Sequence, residues 1–244
     1  MAEPAGILFD KDGVFVDFEK TWTPVLKAIA ADLAHGDTGH AHELLLVAGF
    51  DAAADRFLPG SVWAAGHADD LVEAWLPMLS GSSQARLFQV MQAHCLKAQP
   101  HPVLSPDEQR EVFQTLKSAG FRLGVATNDM AASAHATVAH FGLAEVFDMV
   151  LGYDSVANPK PAGDPVVAFA RATGLQPEQV MMVGDNTHDM HCGLAGGAGH
   201  LVGVLSGNST RAELSGLAHH IIDDISHLPP LALQLVEHGG KVER

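Results

Sequence analysis

Two aspartates one residue apart follow directly on a short apolar run: Asp10-Lys11-Asp12-Gly13 comes after GILF at Gly6–Phe9. Carboxylates at that spacing on extended backbone can turn to one side and share a site. Gly13 lets the chain turn sharply behind them. The same four residues also suit a plain solvated turn. Thr127-Asn128 follows the run RLGVA, where a hydroxyl and an amide can donate hydrogen bonds to an oxyanion. Equally, Asn128 or Asp129 can cap a helix that starts at Met130. Asn158-Pro159-Lys160-Pro161 holds a lysine between two prolines. Such stiffened backbone suits a fixed charge against phosphate, and it also occurs in ordinary loops. Gly184-Asp185-Asn186-Thr187-His188-Asp189 follows VMMV. Its oxygens suit a hard cation such as Mg²⁺, while Asp189 in a first helical turn is also favoured by the helix dipole.

The elements that must position these clusters are strands alternating with helices. Strand-like runs fall at Gly6–Phe9 and at 121–126, 147–151, 180–183, 201–205 and 220–222, with helical segments between most of them. Ser105-Pro106-Asp107-Glu108 is a capping box with proline at the first helical position, opening a helix to about Ala119. The alternation predicts a parallel α/β sheet covered on both faces, with its site beyond the carboxyl ends of the strands. About 110 residues separate Asp10 from the strand at Phe121, far more than a crossover needs. Within that surplus Trp22, Val25, Leu26, Ile29 and Leu33 recur at helical spacing, as do Leu71, Val72, Trp75, Leu76 and Leu79. The expected organisation is a core of residues 1–17 plus 100–244, with 18–99 as an inserted all-helical domain.

Composition narrows the function. The chain has 244 residues, a net charge of −15 and 47% apolar residues, enough for a substantial core. A strongly negative chain argues against nucleic acid or an anionic membrane as the main partner. Two cysteines, Cys95 and Cys192, make no disulfide framework, which fits a reducing compartment. No basic segment precedes an apolar run at the N-terminus, and no apolar stretch approaches 18 residues. A cytoplasmic location is the expectation.

The order of the four clusters, each at a strand end, resembles the haloacid dehalogenase-like (HAD) superfamily. Its motifs run Asp-x-Asp, Ser/Thr, Lys and Gly-Asp-x-x-x-Asp. KPAGDPVVAFARATG, VGDNTHDMHCGLAGGAG and VGVLSGNSTRAEL look like the phosphoglycolate phosphatase-like subgroup, except that Gly163 stands where that subgroup has proline. The resemblance implies a Rossmann-like core with the insert as a C1-type cap. It implies that Asp10 is the nucleophile, forming an aspartyl-phosphate, and Asp12 the general acid and then the base on water. It assigns Mg²⁺ to the carboxylates of Asp10 and Asp185 and the backbone carbonyl of Asp12. Thr127, Asn128 and Lys160 would bind the phosphoryl oxygens, and Asp189 would orient Lys160 or metal-bound water. Lys11 occupies a variable position, so its backbone is expected to matter more than its amine.

Asp12 separates the reaction types within that family. Dehalogenases lack it, P-type ATPases carry threonine there, and phosphonatases a small residue. The expected function is Mg²⁺-dependent hydrolysis of a small phosphorylated metabolite, with phosphoglycolate as one candidate. A phosphomutase of the β-phosphoglucomutase kind is the alternative. A non-catalytic binding module would have lost a motif carboxylate, and Asp10, Asp12, Asp185 and Asp189 are all present. Other features have plainer readings. His35, His40 and His42 are expected in an exposed loop rather than at a metal, and His188 to face solvent. Gly193, Gly196, Gly197 and Gly199 are read as helix capping and close packing rather than a nucleotide fingerprint. Trp22, Trp63 and Trp75 read as core of the insert. Arg56, Ser61 and Lys97 are candidates for substrate contact only because cations and donors are scarce there.

Overall fold

A computed structural model describes residues 2–58 and 60–239. Met1, Pro59 and residues 240–244, which the two expected domains include, lie outside the described residues. The chain divides into two compact units, Met1–Asp17 with Pro102–Arg244 and Phe18–His101.

After β1 (Gly6–Phe9) the chain enters the second unit. It runs through α1 (Phe18–Leu33), α2 (Thr38–Val47), β2 (Phe50–Asp51), β3 (Arg56–Phe57), α3 (Val62–Ala65), α4 (Ala68–Trp75) and α5 (Gln84–Cys95). The apolar stripe of α1 buries Trp22, Leu26, Ile29 and Leu33, and that of α4 buries Leu71, Val72 and Trp75. Trp75 is fully buried, and its Nε1 donates to the Leu44 carbonyl at 2.8 Å, which satisfies the polar end of an otherwise apolar group. Trp22 meets Trp63 edge to face at 6.3 Å. The tryptophans thus pack this unit as expected.

Two local features depart from expectation. Phe50 and Phe57 pair across the antiparallel hairpin β2–β3, whose two-residue strands are too short to show any period in the sequence. His40 and His42 lie in α2 rather than in a loop. Asp37 starts that helix by accepting the N–H groups of Gly39 and His40, an N-cap hidden inside a Gly- and His-rich stretch.

The core unit resumes with α6 (Pro106–Ser118), then β4 (Arg122–Ala126), α7 (Ala131–His140), β5 (Met149–Leu151), α8 (Asp164–Thr173), β6 (Val180–Gly184), α9 (Thr187–Gly196), β7 (His200–Val204), α10 (Arg211–Leu214), β8 (His220–Ile222) and α11 (Leu228–Gly239). Ser105 caps α6 with the reciprocal Glu108 contact. The six strands form one parallel sheet in the order β5-β4-β1-β6-β7-β8. Alternate side chains of β1 enter different cores. Ile7 and Phe9 join Phe15, Phe113 and Phe147, while Leu8 joins Phe169, Met182 and Met190. Burial on both faces explains why GILF reads as an unbroken apolar run.

The topology decides where chemistry can sit. β1 lies between β4 and β6, and Phe9 is level with both Val125 and Val183. The residues just beyond, Asp10, Thr127 and Asp185, therefore emerge side by side where the strand order reverses. That is where open α/β sheets bind ligands. Among the described residues no helix is long and apolar enough to cross a membrane.

Candidate active site

Asp10 is tied to β6, and Thr127, at the end of β4, to β5. The Asp10 N–H donates to the Val183 carbonyl at 2.8 Å, and Thr127 is anchored on the other side by its N–H to the Leu151 carbonyl at 2.9 Å. Lys160, between β5 and α8, reaches into the same place. Its Nζ lies 2.7 Å from Oδ1 of Asp10 and 2.7 Å from Oδ1 of Asp189. The Lys160 side chain is 5% exposed. A lysine buried that deeply needs paired carboxylates to offset its desolvation.

Asp189 serves two donors. One oxygen takes the Lys160 ammonium, and the other accepts the Asn186 N–H at 3.0 Å. The second contact completes a capping box with Asn186, which begins α9. Its helix-start reading and its role in orienting Lys160 are thus one arrangement. Asp185 is held from a strand further along. Its Oδ2 accepts the Asn208 N–H at 2.7 Å, and Ser206 Oγ donates to the Gly13 carbonyl at 2.7 Å. The loop after β7 therefore ties the Asp10 turn to Asp185. Gly13 adopts φ +76°, and a Cβ there would fall on the Asp185 carboxylate. A Cβ at Gly207 would do the same.

Asn128 does not cap a helix. α7 begins at Ala131 with Met130 as its cap residue and no side-chain cap. Asn128 Nδ2 instead donates to the Lys160 carbonyl at 3.0 Å, joining the second and third clusters through a backbone that carries the lysine. Thr127 Oγ1 accepts the Asp129 N–H at 3.1 Å, an arrangement that leaves its own hydrogen to donate elsewhere.

Three of these carboxylates, Asp10, Asp185 and Asp189, place oxygens within 4.8 Å of one another, and all three are buried. Asp12, whose expected contribution is a backbone carbonyl, directs its side chain to the Lys11 ammonium at 2.7 Å. Burial pushes the Asp10 carboxyl up to about 7; Lys160 opposes that shift, while Asp189 and Asp12 reinforce it. Asp185 is pushed well up for the same first reason, burial, with the Asp189 and Asp10 charges adding to it. Crowded anions in a low-dielectric pocket disfavour one another. An all-oxygen donor set of this kind fits a hard divalent cation, which would relieve that repulsion.

Sequence reasoning brought Asp10, Asp12, Thr127, Asn128, Lys160, Asp185 and Asp189 to one end of the sheet. It gave no role to the loop Ser206-Gly207-Asn208, which entered only through the resemblance of VGVLSGNSTRAEL, although small polar residues directly after a fifth apolar run are a usable signal. It also undervalued Lys11, whose amine is fully buried and lies 3.2 Å from Asp129 as well. Arg56, Ser61 and Lys97, the candidates for substrate contact, belong to the second unit. Ser61 caps α3. Lys97 lines a cavity of about 300 Å³ within the second unit, with Lys20, His94 and His101. Arg56 is exposed on β3. Among the described residues His35, His40 and His42 form no metal-holding cluster. His188 is half-buried in the first turn of α9. Gly197 ends α9 at φ +78°, and Gly196 packs on Val166 and Gly163, as capping and close packing require. Gly163 itself abuts the backbone of Ala195 and Gly196, where any side chain would have to displace α9.

The comparisons with known proteins point the same way. The haloacid dehalogenase-like hydrolase family model matches residues 4–197. The phosphoglycolate phosphatase of Rhodospirillum rubrum is 29% identical over 238 residues, spanning 92% of this chain and 89% of that one. Pyrophosphatase PpaX of Halalkalibacterium halodurans is 38% identical over 80 residues, and the match spans about a third of each chain, 33% of this one and 37% of that one. The crystal structure of a protein described as a predicted phosphoglycolate phosphatase from Haemophilus somnus superposes with a TM-score of 0.74 at 20% identity, over 95% of this chain and 99% of that one. A parallel sheet with β1 at its centre, the pair Asp10 and Asp12 at its tip and a lysine bridging Asp10 to Asp189 agrees with that match: the chain belongs to the haloacid dehalogenase-like hydrolases.

Proposed function

We propose that this protein is a Mg²⁺-dependent phosphatase that hydrolyses a small phosphomonoester through an aspartyl-phosphate on Asp10. The observation that carries the reading is the placement of Asp10. Its carboxylate sits at the tip of the central strand, 2.7 Å from the Lys160 ammonium and beside Asp185 and Asp189. A nucleophilic carboxylate in that position faces the cation needed to bring a phosphate to it.

Asp10, Asp185 and the Asp12 backbone carbonyl would hold the ion. A bound Mg²⁺ would neutralise the anions that must approach one another and polarise the phosphoryl oxygens. An Asp10 oxygen attacks phosphorus as the ester oxygen leaves, and Asp12 gives that oxygen its proton. Lys160 and the Thr127 hydroxyl meet the phosphoryl oxygens as charge redistributes. Asn128 keeps Lys160 in place through its carbonyl. Asp189 holds the ammonium from the other side. In the second half Asp12 takes a proton from water, the water oxygen bonds to phosphorus, and the bond to Asp10 breaks.

The full-length relatives favour phosphoglycolate as a candidate substrate, and the partial match to PpaX keeps pyrophosphate in the comparison. Assaying phosphoglycolate, hexose phosphates, pyrophosphate and a phosphopeptide with and without Mg²⁺ tests the reading. A small phosphomonoester should give the highest kcat/KM, and EDTA should abolish it. A phosphopeptide as best substrate would overturn the small-molecule assignment. Net transfer of phosphate between two positions of a sugar, without release, would favour the phosphomutase.

A further inference from the structure

We propose that Lys11 is a positioning residue for Asp12 in the hydrolysis of the aspartyl-phosphate, with Asp129 as its fixed anchor. The inference rests on the phosphatase reading above. Lys11 points its amine into the protein, with none of its side chain exposed, and Nζ lies 2.7 Å from Asp12 Oδ2 and 3.2 Å from Asp129 Oδ2.

Asp129 is itself tied to the backbone around it. Its other oxygen accepts the Met130 N–H at 2.7 Å, its own N–H donates to Thr127 Oγ1, and its carbonyl accepts the Tyr153 N–H at 3.0 Å. Ser133 adds a side-chain hydrogen bond. Asp12 is the other carboxylate, its side chain 18% exposed against 14% for Asp129. A rigid anchor, a buried cation and a more exposed carboxylate make a bracket that fixes the direction of the last. An ion pair fixes direction only while both charges are present. Lys11 therefore acts on the carboxylate form of Asp12, the form that accepts a proton.

That form is needed in the second half-reaction. Asp12 takes one proton from water, the water oxygen bonds to phosphorus, the bond from phosphorus to Asp10 breaks, and inorganic phosphate leaves with the Asp10 carboxylate restored. p-Nitrophenyl phosphate isolates this step, because nitrophenolate leaves without a proton.

The experiment is steady-state and rapid-quench kinetics of Lys11→Met on p-nitrophenyl phosphate with Mg²⁺. We expect kcat to fall roughly tenfold or more, as for a general base out of place. KM should fall alongside it, so that kcat/KM changes far less, and phosphoenzyme should accumulate above the wild-type level. Asp129→Asn should show the same split more weakly, and it decides the matter if Lys11→Met does not fold. Equal losses in kcat and kcat/KM without added phosphoenzyme would make Lys11 a merely structural pair and overturn the proposal. A kcat within threefold of wild type would overturn it too. Wild-type protein inactive on every phosphate ester would instead remove the phosphatase reading, and this role with it.

Discussion

The side-chain amide of Asn128 donates to the backbone carbonyl of Lys160 at 3.0 Å, across 32 residues of chain. It links the end of β4 to the loop that delivers the ammonium. The lysine is thus held at its carbonyl by Asn128 and at its amine by Asp10 and Asp189.

Removing that ammonium should be costly to catalysis. Lys160→Ala should lower kcat/KM by roughly 2–4 kcal/mol, the scale of losing one preorganised donor to developing negative charge. Kinetics on an aryl phosphate at saturating Mg²⁺ measures it. A change below threefold would show that the lysine serves only to pair Asp10 with Asp189.

Much of this arrangement was legible in the residues. GILF, VMMV and the part of RLGVA after Arg122 are runs without a polar side chain because both faces of β1, β4 and β6 are covered there, and each delivers its polar cluster to the same end. What stayed hidden depended on tertiary partners. Nothing local distinguishes Asn128 as a cap from Asn128 as a tie to Lys160, since its partner is 32 residues away. For Lys11 the expectation rests on the backbone rather than the amine, and only the position of Asp129 shows that amine to be buried. The hairpin β2–β3 escaped because two residues carry no period.

Protons and metal should compete at the site. Asp10 has its carboxyl at about 7 in the folded protein against 3.8 as the ordinary value, so the folded state keeps a proton that the unfolded chain releases. Metal-free protein should therefore lose stability as pH rises from about 4 to about 7, by on the order of 4 kcal/mol for a shift of this size. Asp185 acts in the same direction. Mg²⁺ should then raise Tm more at pH 8 than at pH 5, because at pH 5 it must displace the proton. Thermal melts at both pH values, with and without the ion, check this. An equal or larger shift at pH 5 would contradict it.

The glycine of the loop after β7 should tune the metal rather than the chemistry. A Cβ at Gly207 would fall on the Asp185 carboxylate, so Gly207→Ala must turn that side chain. The Mg²⁺ concentration for half-maximal activity should rise by about 10- to 100-fold, the usual cost of disturbing a ligand's support. The rate at saturating Mg²⁺ should change much less. An unaltered Mg²⁺ titration would mean that Asp185 does not hold the ion.

The covalent role of Asp10 is the claim on which the rest depends. The direct measurement is an acid quench of the protein during turnover of a ³²P-labelled substrate, followed by proteolysis and mapping of the label. The account predicts label on the peptide containing Asp10, released by hydroxylamine, and neither label nor hydrolysis in Asp10→Asn. Turnover by wild type with no label on that peptide, or activity retained in Asp10→Asn, would contradict it.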